Sequence, residues 1–327
     1  MDLNNKKILF ITPKFYEYEI KIRDTLVDAG ADVKMVYDNL ETINMFYRIF
    51  SLHITKYKKF FLERYYKKKL NENTGKYDIV FVISGASIDE NIITLIKQYC
   101  NNDCKFIMYQ WDSCRSNQNA RKIADYFDKI FTFDIKDAEQ LGWQYRPLFF
   151  IDSLVNETKL VKYDVCFLCS WHSKRADILK KIKTICEEKN LNLFYNMKVH
   201  ILFLKHKFIN KNDDMKDIDI KDVSFKSLSL KESYQKYGES RIVVDFTHPD
   251  QTGLTMRTIE CVGNRCKMVT NNKLIKQADF YDPNNILVYE DVDIDIPQQF
   301  IDSPYQSISK EIYDYYSLKE WCREMIE

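Results

Sequence analysis

The residues best placed to do chemistry lie in one block, 245–272, DFTHPDQTGLTMRTIECVGNRCKMVTNN. It reads as a strand, a polar loop holding Gly253, a short helix, a tight turn and a second strand. A glycine just ahead of a helix lets backbone N–H groups approach an anion, and the helix N-terminus carries partial positive charge. Thr255 and Arg257 fall in the first turn, where a hydroxyl and a guanidinium can grip a diphosphate. Glu260, about one turn later, can accept two hydrogen bonds from a ribose diol. Each has a plainer reading: Arg257 salt-bridges an acidic neighbour, and Glu260 caps or pairs on the helix surface. His248 is either a base or a hydrogen-bond partner that steadies the loop.

The surrounding pattern says what must position this block. Short apolar runs rich in Ile, Val and Phe alternate with segments of helical period, which marks βαβ units and a parallel sheet covered on both faces. Strands are expected at 7–12, 33–36, 77–83, 105–110 and 130–133, completing one Rossmann-like unit. After an aperiodic linker at 148–162 the pattern restarts, with strands at 163–169, 191–195, 241–245, 267–270 and 286–289. Helices are expected at 174–189 and 256–262 and at the terminal 309–326, whereas 198–228 reads as a lid or insertion. The chain of 327 residues accommodates two domains at about 100–200 residues each, placed at 1–150 and 151–327. The last helix is a candidate to pack back on the first domain. A hydrophobic fraction of 45% with 30% charged residues supports a substantial core.

The block QTGLTMRTIE at 251–260, followed by 267–271, resembles GT-B-fold glycosyltransferases of bacterial capsule and lipopolysaccharide biosynthesis, in particular the CgeB-like, spore-maturation-protein branch. YDVCFLCSWHSKRADILKKI at 163–182 is similar to the same group, as is the Trp111-Asp112-Ser113 corner to its acceptor-side loop. The resemblance implies an α/β GT-B architecture, two Rossmann-like domains facing each other across a cleft. It implies a nucleotide-sugar donor in the C-terminal domain and an acceptor in the N-terminal one. Carried over, Gly253, Thr255 and Arg257 contact the diphosphate and Glu260 the ribose, with Ser170, Lys174 and Arg175 as a second phosphate grip. Lys174 and Arg175 otherwise read as a solvated helix start. Asp112, at a strand's C-terminal end where open sheets place ligands, either deprotonates an acceptor hydroxyl or forms a turn. Ser84, Gly85 and Ser87 end another strand in the same position, a further acceptor place. Position 252 is a threonine where paired-glutamate retaining enzymes carry a carboxylate, and Gly263 falls earlier than in that pattern, so the anomeric outcome stays open.

No cofactor and no essential metal are expected, the nucleotide-sugar being a substrate. Cys166 and Cys169 share an apolar strand whose period of two sends them to opposite faces, and Cys100, Cys104 and Cys114 have no histidine nearby. D-x-D spacing occurs at Asp217 and Asp219, within the 198–228 stretch, and at Asp291, Asp293 and Asp295, which read as a solvated edge or surface turn; neither set stands at the mouth of an apolar strand flanked by a glycine loop. A net charge of +1 gives no reason to expect nucleic acid as a partner. Segment 42–70 carries eight Lys or Arg against one acid, Glu63, with interleaved aromatics. It is either a helix packed on the first sheet with a solvated basic face or a peripheral contact with an anionic membrane bearing a lipid-linked acceptor. With nine cysteines, no signal-peptide pattern and no 18-residue apolar run, the expected location is cytoplasmic, or the inner face of the plasma membrane. The alternatives are a non-catalytic glycan- or partner-binding protein, a polyol-phosphate transferase, and an epimerase. The last needs a dense set of His and acidic groups, which five scattered histidines do not supply.

Overall fold

The computed structural model describes residues 1–39, 55–72, 75–156, 160–171, 174–200, 218–247, 253–290 and 293–327. The chain divides into two compact units, Met1–Leu148 with Leu318–Glu327, and Phe149–Ser317.

The first unit runs β1 (Lys7–Thr12), α1 (Tyr18–Asp28), β2 (Asp32–Tyr37), α2 (Thr55–Asn71), β3 (Tyr77–Ile83), α3 (Glu90–Lys97), β4 (Cys100–Gln110), α4 (Asn119–Ile123), β5 (Lys129–Thr132), α5 (Ile135–Leu141) and β6 (Gln144–Tyr145). Its strands pair in parallel in the order β2-β1-β3-β4-β5-β6. The two-residue β6 adds a sixth strand to the five expected. Ile8, Leu9, Phe10 and Ile11 are all fully buried, because helices cover both faces and no strand needs to alternate apolar with polar. Between the Tyr77–Cys100 and Ile79–Lys105 pairings β4 carries a bulge, so Asn101–Cys104 loops out before the apolar part of the strand. Of the basic segment 42–70, residues through 54 lie outside the described residues. α2 buries Leu62, Tyr66 and Leu70 and exposes Phe60 and Phe61. It therefore packs on its unit through one face and keeps a basic, aromatic face outward.

The second unit runs β7 (Tyr163–Ser170), α6 (Arg175–Glu188), β8 (Leu193–Lys198), β9 (Val223–Ser224), α7 (Leu230–Gly238), β10 (Ser240–Asp245), α8 (Met256–Gly263), β11 (Lys267–Thr270), β12 (Ile286–Val288), α9 (Gln298–Asp302) and α10 (Lys310–Tyr315). The sheet order is β12-β11-β10-β7-β8-β9, again parallel throughout. Cys166 and Cys169 lie in β7, both buried; Cys169 joins the core on the Val165 and Phe167 face, and Cys166 is on the other. The stretch read as a lid contains β9, while 201–217 lies outside the described residues. α7 was not anticipated, although Ser229 and Glu232 form a capping box at its start.

The expected terminal helix 309–326 is two helices, α10 and α11 (Leu318–Ile326). The break falls where Phe150 takes the backbone, its N–H donating to Tyr316 O at 2.8 Å beside a bridge to Ser317. α11 belongs to the first unit and sends the fully buried Trp321 against Phe81 and Tyr109, with ring centroids 5.9 and 4.7 Å away. Its Glu324 pairs with Nε of the fully buried Arg146 at 2.5 Å.

Each sheet has a topological switch point, where successive connections leave in opposite directions. It lies between β1 and β3 in the first unit and between β7 and β10 in the second, and ligands of open α/β sheets bind outside the strand C-termini there. At the first of these ends stands Asp38, 2% exposed, with its N–H donating to Thr12 O at 3.1 Å. Burial pushes its carboxyl up to about 6, against the pull of a hydrogen bond from the Ala86 backbone, and among the described residues its Oδ1 has no partner. A raised carboxyl pKa gives stability that is fully present below the unfolded value and lost as pH rises through the folded one. Between pH 4 and 7 we expect urea denaturation to show a loss of about 2 kcal/mol attributable to this group, absent in Asp38→Asn.

Candidate functional site

At the second switch point the organising group is Asp245, the fully buried last residue of β10. Its Oδ1 accepts from Arg257 Nη1 at 2.8 Å. Its Oδ2 accepts from the hydroxyls of Thr255 and Thr258, at 3.1 and 2.7 Å. Thr255 caps α8, its Oγ1 also receiving the Thr258 N–H at 3.0 Å. One carboxylate thus ties the first turn of α8 to the end of its sheet. This hydrogen-bonding places Arg257 and Thr255 together, and the plainer reading of Arg257, a salt bridge to an acidic neighbour, describes one of its contacts. Its side chain remains 18% exposed, and among the described residues its Nε has no hydrogen-bond partner. Burial works against the Arg257 charge, but Tyr237 and Asp245 outweigh it and hold the pKa above the ordinary arginine value.

Arg175 is not a solvated helix start. It is 9% exposed, and it donates from Nη1 to Ser170 O at 2.8 Å and from Nη2 to Phe246 O at 3.0 Å. It thereby bolts the end of β7 to the residue after β10, the two strands that flank the switch point. Its Nε is buried without a hydrogen-bond partner among the described residues. Burial and then the Arg257 charge lower its pKa, so the two guanidiniums share one field. Two guanidiniums thus stand close together at this strand end, beside the N-terminus of α8, with Asp245 bound to one of them. Ser170 is exposed at the tip of β7 and Lys174 is exposed at the N-cap of α6. Glu260 is 4% exposed, inside the unit rather than on the open helix surface. Gly253 is buried, with its carbonyl accepting from Asn272 Nδ2 at 3.1 Å. His248 and Thr252 lie outside the described residues.

Three residues of this site escaped the sequence reading. Asp245 carried a signal, a carboxylate ending a confident strand. Asn271 holds Thr247 from both sides, accepting its N–H at 2.8 Å and donating to its carbonyl at 3.1 Å. Asn272 caps the following turn at Leu274 N. The Asn-Asn pair after an apolar run is a turn signal, but nothing local says which carbonyls it serves.

In the first unit the ligand end is shaped by backbone conformation. Ser84 and Gly85 both adopt left-handed φ, 66° and 63°. Gln110 Nε2 and Asn117 Nδ2 donate to Ser84 O at 2.9 and 2.7 Å, and Asn119 Nδ2 donates to Gly85 O at 2.9 Å. A serine tolerates this conformation only because its neighbours fix it. Ser84 is 5% exposed, so its hydroxyl is turned into this network. Asp112, two residues past β4, is exposed, yet desolvation by the protein crowding around it raises its carboxyl pKa. Among the described residues no three His, Cys, Asp or Glu gather to hold a metal. Asp219 caps a short turn and pairs with Lys221 at 3.0 Å, and Asp293 and Asp295 are exposed; Asp217 and Asp291 lie outside the described residues.

No family model and no curated protein matches the chain. Among solved structures it is similar to a UDP-N-acetylglucosamine 2-epimerase, with TM-score 0.57 and 12% identity over 99% of this chain and 95% of that one. It is also similar to AviGT4, a glycosyltransferase involved in avilamycin A biosynthesis, with TM-score 0.56 and 10% identity over 98% and 95% of the chains. A UDP-GlcNAc 2-epimerase from Methanocaldococcus jannaschii gives TM-score 0.54 and 12% identity over 97% and 99%. At these identities the likeness is one of fold: the chain has the GT-B fold, two Rossmann-like α/β domains.

Removing Arg257 leaves the Asp245 carboxylate buried beside two hydroxyls alone. Arg257→Met should therefore destabilise the chain by about 3–5 kcal/mol in urea, and adding Asp245→Leu should recover most of that loss.

Proposed function

We propose that the chain is a nucleotide-sugar-dependent glycosyltransferase that transfers its sugar to a saccharide or lipid-linked oligosaccharide in cell-surface polysaccharide biosynthesis. The CgeB-like character of the 245–272 block is part of this reading. The observation that carries it is the pair of guanidiniums, Arg175 and Arg257, held at the second switch point beside the N-terminus of α8.

Glycosyl transfer to a hydroxyl needs charge neutralised on the departing diphosphate and a place for the acceptor proton. In the proposed mechanism Arg257, the Thr255 end of α8 and Arg175 stabilise the developing charge before the reaction begins. Asp245 orients Arg257 without touching the substrate. Asp112, with its raised pKa, accepts the acceptor proton, and His248 is the second candidate for that role. Charge neutralisation by arginine and a helix dipole leaves no step that requires a metal. Epimerisation of the sugar and polyol-phosphate transfer could use the same grip, and analysis of the products separates them from glycosyl transfer. A non-catalytic protein of this fold would bind glycan or a partner and turn nothing over.

In a thermal-shift panel of UDP, GDP, CMP and TDP, one nucleotide at about 100 times its Kd should raise Tm by roughly 4 °C. The shift should persist in excess EDTA and be lost in Arg257→Lys, which keeps the charge but not the fork geometry. No shift from any nucleotide would favour the non-catalytic reading.

Peripheral contact with an anionic membrane through α2 forms part of the proposal, supported by the exposed Phe60 and Phe61, 58% and 40% accessible, beside its lysines. Among the described residues no helix is long and apolar enough to cross a membrane. The chain should sediment with phosphatidylserine-containing liposomes at low salt, and Phe60→Ser/Phe61→Ser should abolish the pelleting.

A further inference from the structure

The loop after β1 holds an arrangement that the nucleotide grip does not explain. Phe15 and Tyr16 are 40% and 52% exposed, and Phe15 packs its ring against Trp111, the residue after β4, with centroids 5.3 Å apart. β1 and β4 are not neighbours, because β3 lies between them. The ring contact therefore joins the loops that follow the two strands on either side of β3. Tyr16 and Glu17 both take left-handed φ, 49° and 72°, although neither is glycine. The loop is held there by Glu19 of α1, a 1% exposed carboxylate whose Oε2 accepts the Phe15 N–H at 3.1 Å. Strained non-glycine backbone, pinned by a buried acid, keeps large apolar rings facing solvent. A loop with only a connecting role has no use for that expense. Next to Trp111, Asp112 is exposed, and among the described residues its carboxylate has neither a hydrogen bond nor an ion pair.

We infer that Phe15, Tyr16 and Trp111 form a shelf for the apolar face of a pyranose ring, with Asp112 accepting hydrogen bonds from the sugar's hydroxyls. A pyranose combines a face of C–H bonds with a rim of hydroxyls. Aromatic faces are electron-rich and attract the slightly positive C–H hydrogens, while an unpaired carboxylate can accept two hydroxyl hydrogen bonds. Because the loop is already ordered, little rotamer freedom is lost on binding. The inference rests on the glycosyl-transfer reading, and it specifies that reading's acceptor as a saccharide held ring-face down in the first unit.

Saturation-transfer NMR on the full chain tests it, with methyl β-D-glucopyranoside, methyl β-D-galactopyranoside and lactose as probes. Sorbitol, an open-chain polyol without a ring face, and UDP serve as comparators. At least one pyranoside should show saturation strongest at its C–H protons, while sorbitol shows none. Trp111→Ala and Phe15→Ala should each cut that signal at least five-fold, and Asp112→Asn should weaken binding about ten-fold, with the UDP signal unchanged. Absence of any pyranoside signal, or a signal that survives both ring deletions, would overturn the inference. So would UDP base protons whose saturation disappears in Trp111→Ala, since the shelf would then stack a nucleobase. A pyranoside signal of the expected kind without UDP binding would support the shelf while the donor reading failed on its own.

Discussion

A buried carboxylate must be paired, and in the second unit that requirement falls on Asp245. A fully buried ionised acid without partners is far costlier than one surrounded by donors, and here Arg257, Thr255 and Thr258 supply them. Satisfying Asp245 has three structural consequences at once. It sets where α8 begins, because Thr255 is both its cap and a donor to the acid. It aims the helix N-terminus at the strand end, and it fixes the guanidinium of Arg257 without consuming all of it. Arg175 completes the frame by tying together the carbonyl ends on either side of the switch point. The placing of both guanidiniums at the strand end follows from these few contacts.

The first unit reaches a comparable end by another route. Its strand ends are arranged through left-handed residues and amide side chains, with Gln110, Asn117 and Asn119 holding the Ser84-Gly85 carbonyls. The groups presented to solvent there are aromatic rings and a carboxylate. One unit thus offers positive charge suited to phosphates, and the other offers apolar faces and hydrogen-bond acceptors suited to neutral polyhydroxyl compounds. That difference in chemistry, on two sheets of related topology, supports assigning them different ligands.

The apolar strands were legible because parallel, doubly covered sheets leave continuous runs of Ile, Val and Phe, as at Lys7–Thr12 and Tyr77–Ile83. The glycine-loop-helix block at 253–263 could likewise be read, since capping and helix-dipole chemistry are local. What could not be read depends on distant partners. Arg175 looks like an exposed helix start until Ser170 and Phe246 bring their carbonyls to it. The terminal helix breaks at Tyr316 because Phe150, far away in sequence, uses that backbone. The Phe15–Trp111 contact likewise joins loops from two non-adjacent strands, and no spacing rule anticipates it. α7 is a different case: its capping box and the i, i+4, i+7 spacing of Leu230, Tyr234 and Tyr237 were both present in the sequence.

Hydrogen–deuterium exchange with and without a saturating nucleoside diphosphate addresses the central claim most directly, because it reports where the ligand is held. The account predicts slowed exchange in the peptides spanning 253–260 and 170–178, with the first unit's strand ends unchanged. Unaltered exchange in 253–260, or protection confined to the first unit, would contradict it.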